Sequence, residues 1–158
     1  MRKQTIHPGD QGNPTADHAM WLDVEPLAQV DVTSEDTGHP IEAALIKDAG
    51  ACWRARYPGR QMIRLRFDKP QKLSRIRLVF DEDELDRIQE FVLRWSPDGG
   101  VSYWEIVRQQ YSFSPPDNSR ELEDYVVELD GLTILELDII PDISDGEALA
   151  SLAQLRLA

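Results

Sequence analysis

The sequence predicts an all-β domain, an eight-stranded antiparallel jelly-roll β-sandwich, and three observations carry that prediction. Apolar and polar residues alternate through most segments from residue 25 onward, the period of strands buried on one face. Turn-forming clusters such as Pro97-Asp98-Gly99-Gly100 and Asp130-Gly131 separate the segments, as chain reversals between neighbouring strands require. Stretches of helical period are nearly absent, which favours a sandwich over a parallel sheet with crossover helices.

Residues 1–24 carry prolines, glycines and little periodicity, so they read as an irregular lead-in to a domain over residues 25–158. Ala28, Val30 and Val32 form the first strand. A short helical or turn segment follows, opened by Pro40 and closed near Gly50. The next strands hold Ile63, Leu65 and Phe67, then Ile76, Leu78 and Phe80, then Phe91, Leu93 and Trp95. Trp104 and Ile106 come after the Pro97 turn. Tyr125, Val127 and Leu129 precede the Asp130-Gly131 turn, with Leu135, Leu137 and Ile139 beyond it, and Leu155 and Leu157 close the set. On the opposite phase, Arg64, Arg66, Arg75, Arg77 and Arg94 face outward. Like charges set side by side are destabilising, so cross-strand acids such as Glu128, Glu136 or Asp138 are expected opposite them, with a basic partner surface as the alternative.

A chain of 158 residues suits one domain, and 41% hydrophobic with 29% charged residues lies in the range of folded globular chains. Seventeen Lys and Arg stand against 29 Asp and Glu, a formal charge of -12. A field of that sign repels phosphate, so neither nucleic acid nor an anionic membrane is an expected partner. Cys52 is the only cysteine, which rules out an intrachain disulfide. The opening MRKQTIHPGDQGNPTADH has no apolar signal segment, and no run approaches the roughly 20 apolar residues that span a bilayer. A cytoplasmic location is the expectation.

The order of several motifs extends this reading. Val32-Thr33-Ser34-Glu35 ends the first strand in a Ser-containing turn, and Ala43-Ala44-Leu45 leads to Trp53. Gly59-Arg60-Gln61-Met62-Ile63-Arg64-Leu65 and Lys72-Leu73-Ser74-Arg75-Ile76-Arg77-Leu78 open two strands. Leu93-Arg94-Trp95-Ser96 runs into Pro97-Asp98-Gly99-Gly100-Val101-Ser102-Tyr103-Trp104. Over residues 27–158 this succession resembles the discoidin, or coagulation factor type C, domain family of the galactose-binding domain-like β-sandwiches. The resemblance implies a noncatalytic binding module that takes carbohydrate or a carbohydrate-like ligand at loops on one end of the sandwich. It also places Trp53 and Trp104 in the core, where phase alone puts Trp95. Relatives with a structural calcium carry an Asp-Gly turn before the signature Trp. The equivalent here is Ile46-Lys47-Asp48-Ala49-Gly50, so calcium is disfavoured and no other cofactor is implied.

Enzyme signatures are missing: the sequence has no GxSxG, GxxxxGK[ST], HExxH, CxxC or GxGxxG, and His7, His18 and His39 are scattered. No catalysis is expected. The best ligand-site candidate is Arg54-Ala55-Arg56-Tyr57-Pro58-Gly59-Arg60, in which Arg54, Arg56 and Arg60 offer forked donors and Tyr57 a stacking face. Glu35 and His39 join it by analogy with the family. The competing reading pairs these arginines with nearby acids. An alternative function is an intracellular protein–protein interaction module that uses its loops or its arginine-bearing sheet. The acidic stretch from Asp81 to Asp86 and the cluster Asp142, Asp145 and Glu147 lack EF-hand spacing and read as hydrated loops. Trp21 either packs on the sandwich or stays free for a partner.

Overall fold

The computed structural model describes residues 21–46 and 52–158. The strands are β1 (Ala28–Val32), β2 (Trp53–Arg54), β3 (Gln61–Asp81), β4 (Arg87–Ser96), β5 (Trp104–Phe113), β6 (Arg120–Ile140), β7 (Ser151–Leu152) and β8 (Gln154–Leu157), with one short helix α1 (Glu42–Leu45). Every pairing is antiparallel. The fold is the predicted antiparallel β-sandwich.

The eight strands divide differently from the expected eight. The segments 63–67 and 76–80 are one strand of 21 residues, β3, and so are 125–129 and 135–139, in β6. Both strands bend without ending. The β3–β6 ladder shifts register three times between Arg66 and Arg75, and Pro70, which has no amide hydrogen to donate, falls in the unpaired gap. On the facing strand the expected Asp130-Gly131 turn is a bend inside β6, taken up by Gly131 at φ 75°. The polar stretch Asp68–Lys72 interrupts the alternation because bulged backbone needs no apolar side chains. The two strands that replace the merged pairs, β2 and β7, are two residues each, too short to show a period.

Bent in this way, β3 and β6 serve two layers. Their halves holding Gln61 and Ile139 lie in the order β1-β3-β6-β4-β5, and their other halves pair with each other, that of β3 also with β8. Ile63, Leu65 and Phe67 from one half of β3 and Leu73, Ile76, Leu78 and Phe80 from the other enter one hydrophobic core, joined by Phe91, Leu93, Leu135, Leu137, Ile139, Leu155 and Leu157. The predicted Pro97–Gly100 turn links β4 to β5. Gly99 and Gly100 take φ of 71° and 97°. Asp98 accepts hydrogen bonds from the Ser102 hydroxyl and amide and from the Ser96 hydroxyl, which together hold its carboxyl at about 2.

The tryptophans separate by position. Trp53 is fully buried, and Trp95 is half-buried against the core. Trp104 is 60% exposed, contrary to expectation, because it opens the edge strand β5 opposite Trp95, beyond the cover of the facing layer. Trp53→Ala should therefore cost about 3–5 kcal/mol in urea denaturation, whereas Trp104→Ala should cost less than about 1 kcal/mol. Trp21 packs over Arg75 and Arg77, 4.8 and 5.2 Å from its ring centre, and the Leu22 amide donates to the Leu157 carbonyl at 2.7 Å.

The outward arginines meet acids across strands. Asp31, Arg64, Glu136, Arg94 and Glu105 stand in register across five strands, a row of alternating sign. Arg64 reaches Glu136 at 3.0 Å, and Arg94 lies 3.3 Å from Asp138. Arg75 and Arg77 share Asp124, and Arg66 takes Asp31, so these two aspartates do what was expected of Glu128.

Candidate functional site

Because β3 and β6 bend, both ends of each strand emerge at one end of the sandwich: Gln61 bonds Ser34, which also bonds Arg56, while Asp81 accepts the Ser151 hydroxyl and lines one cavity with Arg54, and Gln61 pairs with Ile139 and Asp81 with Arg120. The described parts of the connections between β1 and β3, with residues 82–86, 114–119 and 141–150, collect there. Residues 47–51, including most of the turn compared with a calcium turn, lie outside the described residues. Among the described residues no group of three or more His, Cys, Asp or Glu is arranged to hold a metal ion.

Trp53 anchors this end. Its buried ring donates from Nε1 to the Ser34 carbonyl at 3.1 Å, and Ser34 Oγ accepts the Arg56 amide at 3.0 Å while donating to Gln61 Oε1. The Ala55 amide donates to the Ala150 carbonyl, tying the loop after Trp53 to the strand-like run before β7. A second set of bonds joins the 33–41 loop to Arg54: the Asp36 amide donates to the Arg54 carbonyl at 2.8 Å, and the Arg54 amide to the His39 carbonyl at 3.2 Å. His39 Nδ1 lies 2.8 Å from Asp36 Oδ2, a contact that holds the Asp36 carboxyl below its ordinary value. Glu35 accepts the Ile41 amide at 3.0 Å and so shapes the approach to α1.

Arg54 lines a cavity of about 220 Å³ with Asp81, Glu82, Asp83, Glu84, Glu147, Ser151, Leu85 and Leu149. The two acidic stretches read as separate hydrated loops thus converge on one concave site. Glu82 accepts three hydrogen bonds. Burial pushes its carboxyl up, but the amides of Glu84 and Leu85 and the Arg87 guanidinium, at 3.0, 3.1 and 2.6 Å, hold it below the usual carboxylate range.

The sequence-predicted site residues separate into three places. Arg54 lies in the cavity, with Glu35 and His39 on the loop bonded to its strand. Arg56 and Tyr57 are exposed on the next loop, the guanidinium 5.9 Å from the ring centre. Arg60 leaves this group for the outer sheet face, where its guanidinium pairs with Asp138. There it lines a different concavity of about 230 Å³, with Arg94, Arg108, Glu90 and Asp138 around Val92 and Ile140. Burial pushes the Asp138 carboxyl up, and Arg60 and Arg94 more than reverse this. The cavity acids went unassigned in the sequence reading, although the run Asp81–Asp86 was itself a signal.

No family model matches the sequence, and neither does any curated protein. Solved structures do match in fold. The family 32 carbohydrate-binding module of Clostridium perfringens NanJ, in complex with galactose, aligns with a TM-score of 0.65 and 13% identity over 87% of this chain and 96% of its own. A second Clostridium perfringens module, in complex with GalNAc-β-1,3-galactose, gives 0.64 and 16% over 87% and 98%. A pectin-binding carbohydrate-binding module gives 0.60 and 18% over 83% and 89%. At these identities the likeness establishes the fold, the galactose-binding-like β-sandwich.

Proposed function

We propose that the chain is a noncatalytic carbohydrate-binding module, related to the discoidin-like and family 32 modules, that takes a saccharide in the cavity around Arg54. One observation carries the reading: the loop end of a fold shared with sugar-bound modules holds a concave site with a forked guanidinium donor beside a rim of carboxylate acceptors. Sugar hydroxyls donate and accept at once, so a site that offers both charge-assisted roles around apolar Leu85 and Leu149 suits them. Five carboxylates and one guanidinium line the cavity, so neutral or amine-bearing saccharides fit it and uronates, sialosides and sulfated sugars are repelled. The protein-interaction alternative through the arginine-bearing sheet is weakened by the acids already opposite Arg64, Arg75, Arg77 and Arg94.

Arg54→Ala combined with Arg56→Ala tests the site. Both side chains are exposed, so the melting temperature should move by no more than about 2 °C, while affinity for a saccharide identified with the wild-type chain falls at least about tenfold, the worth of one charge-assisted hydrogen bond. Unchanged affinity in a folded double variant would place the site elsewhere.

A further inference from the structure

The half of β6 that lies in the second layer has a neighbour on one side only. Residues 120–126 pair with residues 75–81 of β3 without a shift of register, and β4 joins β6 only from Ile134 onward. Among the described residues no strand covers the other edge of this half. An uncovered edge offers a row of amides and carbonyls to a further strand, and proteins commonly blunt it with a bulge, a proline or a lysine. Residues 120–129 contain neither proline nor lysine, and the regular pairing of 120–126 leaves no bulge there. The Tyr111 hydroxyl caps one carbonyl, that of Arg120. Along the edge, Arg120, Leu122, Asp124, Val126 and Glu128 hold the outer positions, and Glu121, Glu123, Tyr125 and Val127 alternate with them on the core side. Leu122 and Val126 are apolar, yet they are 54% and 89% exposed.

We propose that this edge is an interface between two copies of the chain, paired antiparallel about a two-fold axis at Asp124. In that register Arg120 faces the partner's Glu128 and Leu122 faces the partner's Val126. Each contact occurs twice, as a self-complementary patch requires. Only Asp124 meets its own kind, and Arg75 and Arg77 already hold it, both at 2.8 Å. On the core side Glu121 belongs to a buried polar chain that runs through Gln89 to Arg87, and it faces the partner's Val127. Burial, and then its hydrogen bond with Glu123, push the Glu121 carboxyl up to about 9, so the two glutamates together carry one charge at neutral pH. Glu123 faces the partner's Tyr125. Within one chain the Tyr125 hydroxyl is buried with no hydrogen-bond partner among the described residues, a costly state, and a carboxylate across the strand is the acceptor it lacks. Other registers set like charges or unlike chemistry together. An axis at Leu122 puts Glu121 against the partner's Glu123, and one at Val126 puts Asp124 against the partner's Glu128. Axes at Glu123 or Tyr125 oppose Leu122 to the partner's Asp124 or the partner's Glu128. Paired about Asp124, the β8-β3-β6 layers of two copies join into one continuous sheet. A contact of about nine residues a side is small for a protein interface, so the dimer is weak and forms at high concentration. The interface does not rest on the saccharide reading.

Sedimentation velocity of the full chain over a concentration series up to roughly 1 mM should show a monomer–dimer equilibrium. Val126→Asp places a charge opposite the partner's Leu122, so it should raise the dissociation constant at least about tenfold while leaving the melting temperature of the dilute chain unmoved. Arg120→Glu and Glu128→Arg each set like charges across the axis, and each alone should stay monomeric. An equimolar mixture of those two variants should dimerise, because every acid then meets an arginine. A wild-type chain that stays monomeric throughout would overturn the interface. So would a dimer that Val126→Asp leaves intact, or a mixture that associates no better than its components. Should Arg120→Glu fail to fold through loss of its pair with Asp81, the wild-type series and Val126→Asp still decide.

Discussion

Replacing Arg87 by alanine should lower the unfolding free energy by about 3–5 kcal/mol, the usual cost of removing one member of a buried ion pair. The side chain is 1% exposed on one side of its pair, and Glu82 is 14% exposed on the other. Its loss leaves Gln89 Oε1 and the Pro141 carbonyl without their donor and empties the space over the Phe113 ring. Arg87→Met refills that space and should recover about 1–2 kcal/mol of the loss, but it cannot restore the three hydrogen bonds. Thermal melts give the ranking directly, since about 4 kcal/mol corresponds to roughly 10 °C in a domain of this size. Equal melting temperatures for wild type and Arg87→Ala would show that the guanidinium contributes nothing net.

Glu121→Gln should abolish a loss of stability on raising the pH that the wild-type chain shows. Between the ordinary glutamate value and about 9, the folded chain retains a proton that the unfolded chain gives up. Each pH unit in that window therefore removes up to about 1.4 kcal/mol of stability. The total loss from this group is on the order of 5 kcal/mol. Asp124 and Asp138 act in the opposite sense. The first is lowered chiefly by Arg75. For the second, Arg60 and Arg94 overcome the effect of burial. Their contribution is lost as pH falls through the acid range and is complete above it. Wild-type stability should thus peak in mildly acid solution and decline toward pH 9, while Glu121→Gln holds level over the same range. Urea denaturation at a series of pH values measures both curves, and parallel curves would locate the proton on another group.

Local alternation disclosed much of this molecule. The phase of Phe91 and Leu93 placed β4, that of Ile63 and Leu65 placed the first half of β3, and the acids expected opposite the outward arginines include the observed Glu136 and Asp138. The same phase carried further would have found the buried polar chain. Stepping back by twos from Phe91 reaches Gln89 and Arg87, and from Tyr125 it reaches Glu123 and Glu121. Polar residues on a core phase are easily taken for the end of a strand. The cavity around Arg54 was harder to foresee, because it depends on β3 and β6 each returning to the end they left. That return comes from bends inside both strands, and it is held by pairings across 78 positions for Gln61 and Ile139 and 39 for Asp81 and Arg120, which no local pattern encodes. Trp104 failed for a related reason: it stands at the open end of the edge strand β5, whose other end carries the buried Phe113.

The claim that this sandwich holds a saccharide in an acidic cavity at its loop end is tested most directly by a glycan array probed with the purified chain. Binding should appear on neutral or amine-bearing saccharides and be absent from their uronate, sialylated and sulfated counterparts, as a cavity lined by five carboxylates and Arg54 requires. A blank array, or a preference for the anionic glycans, would contradict it.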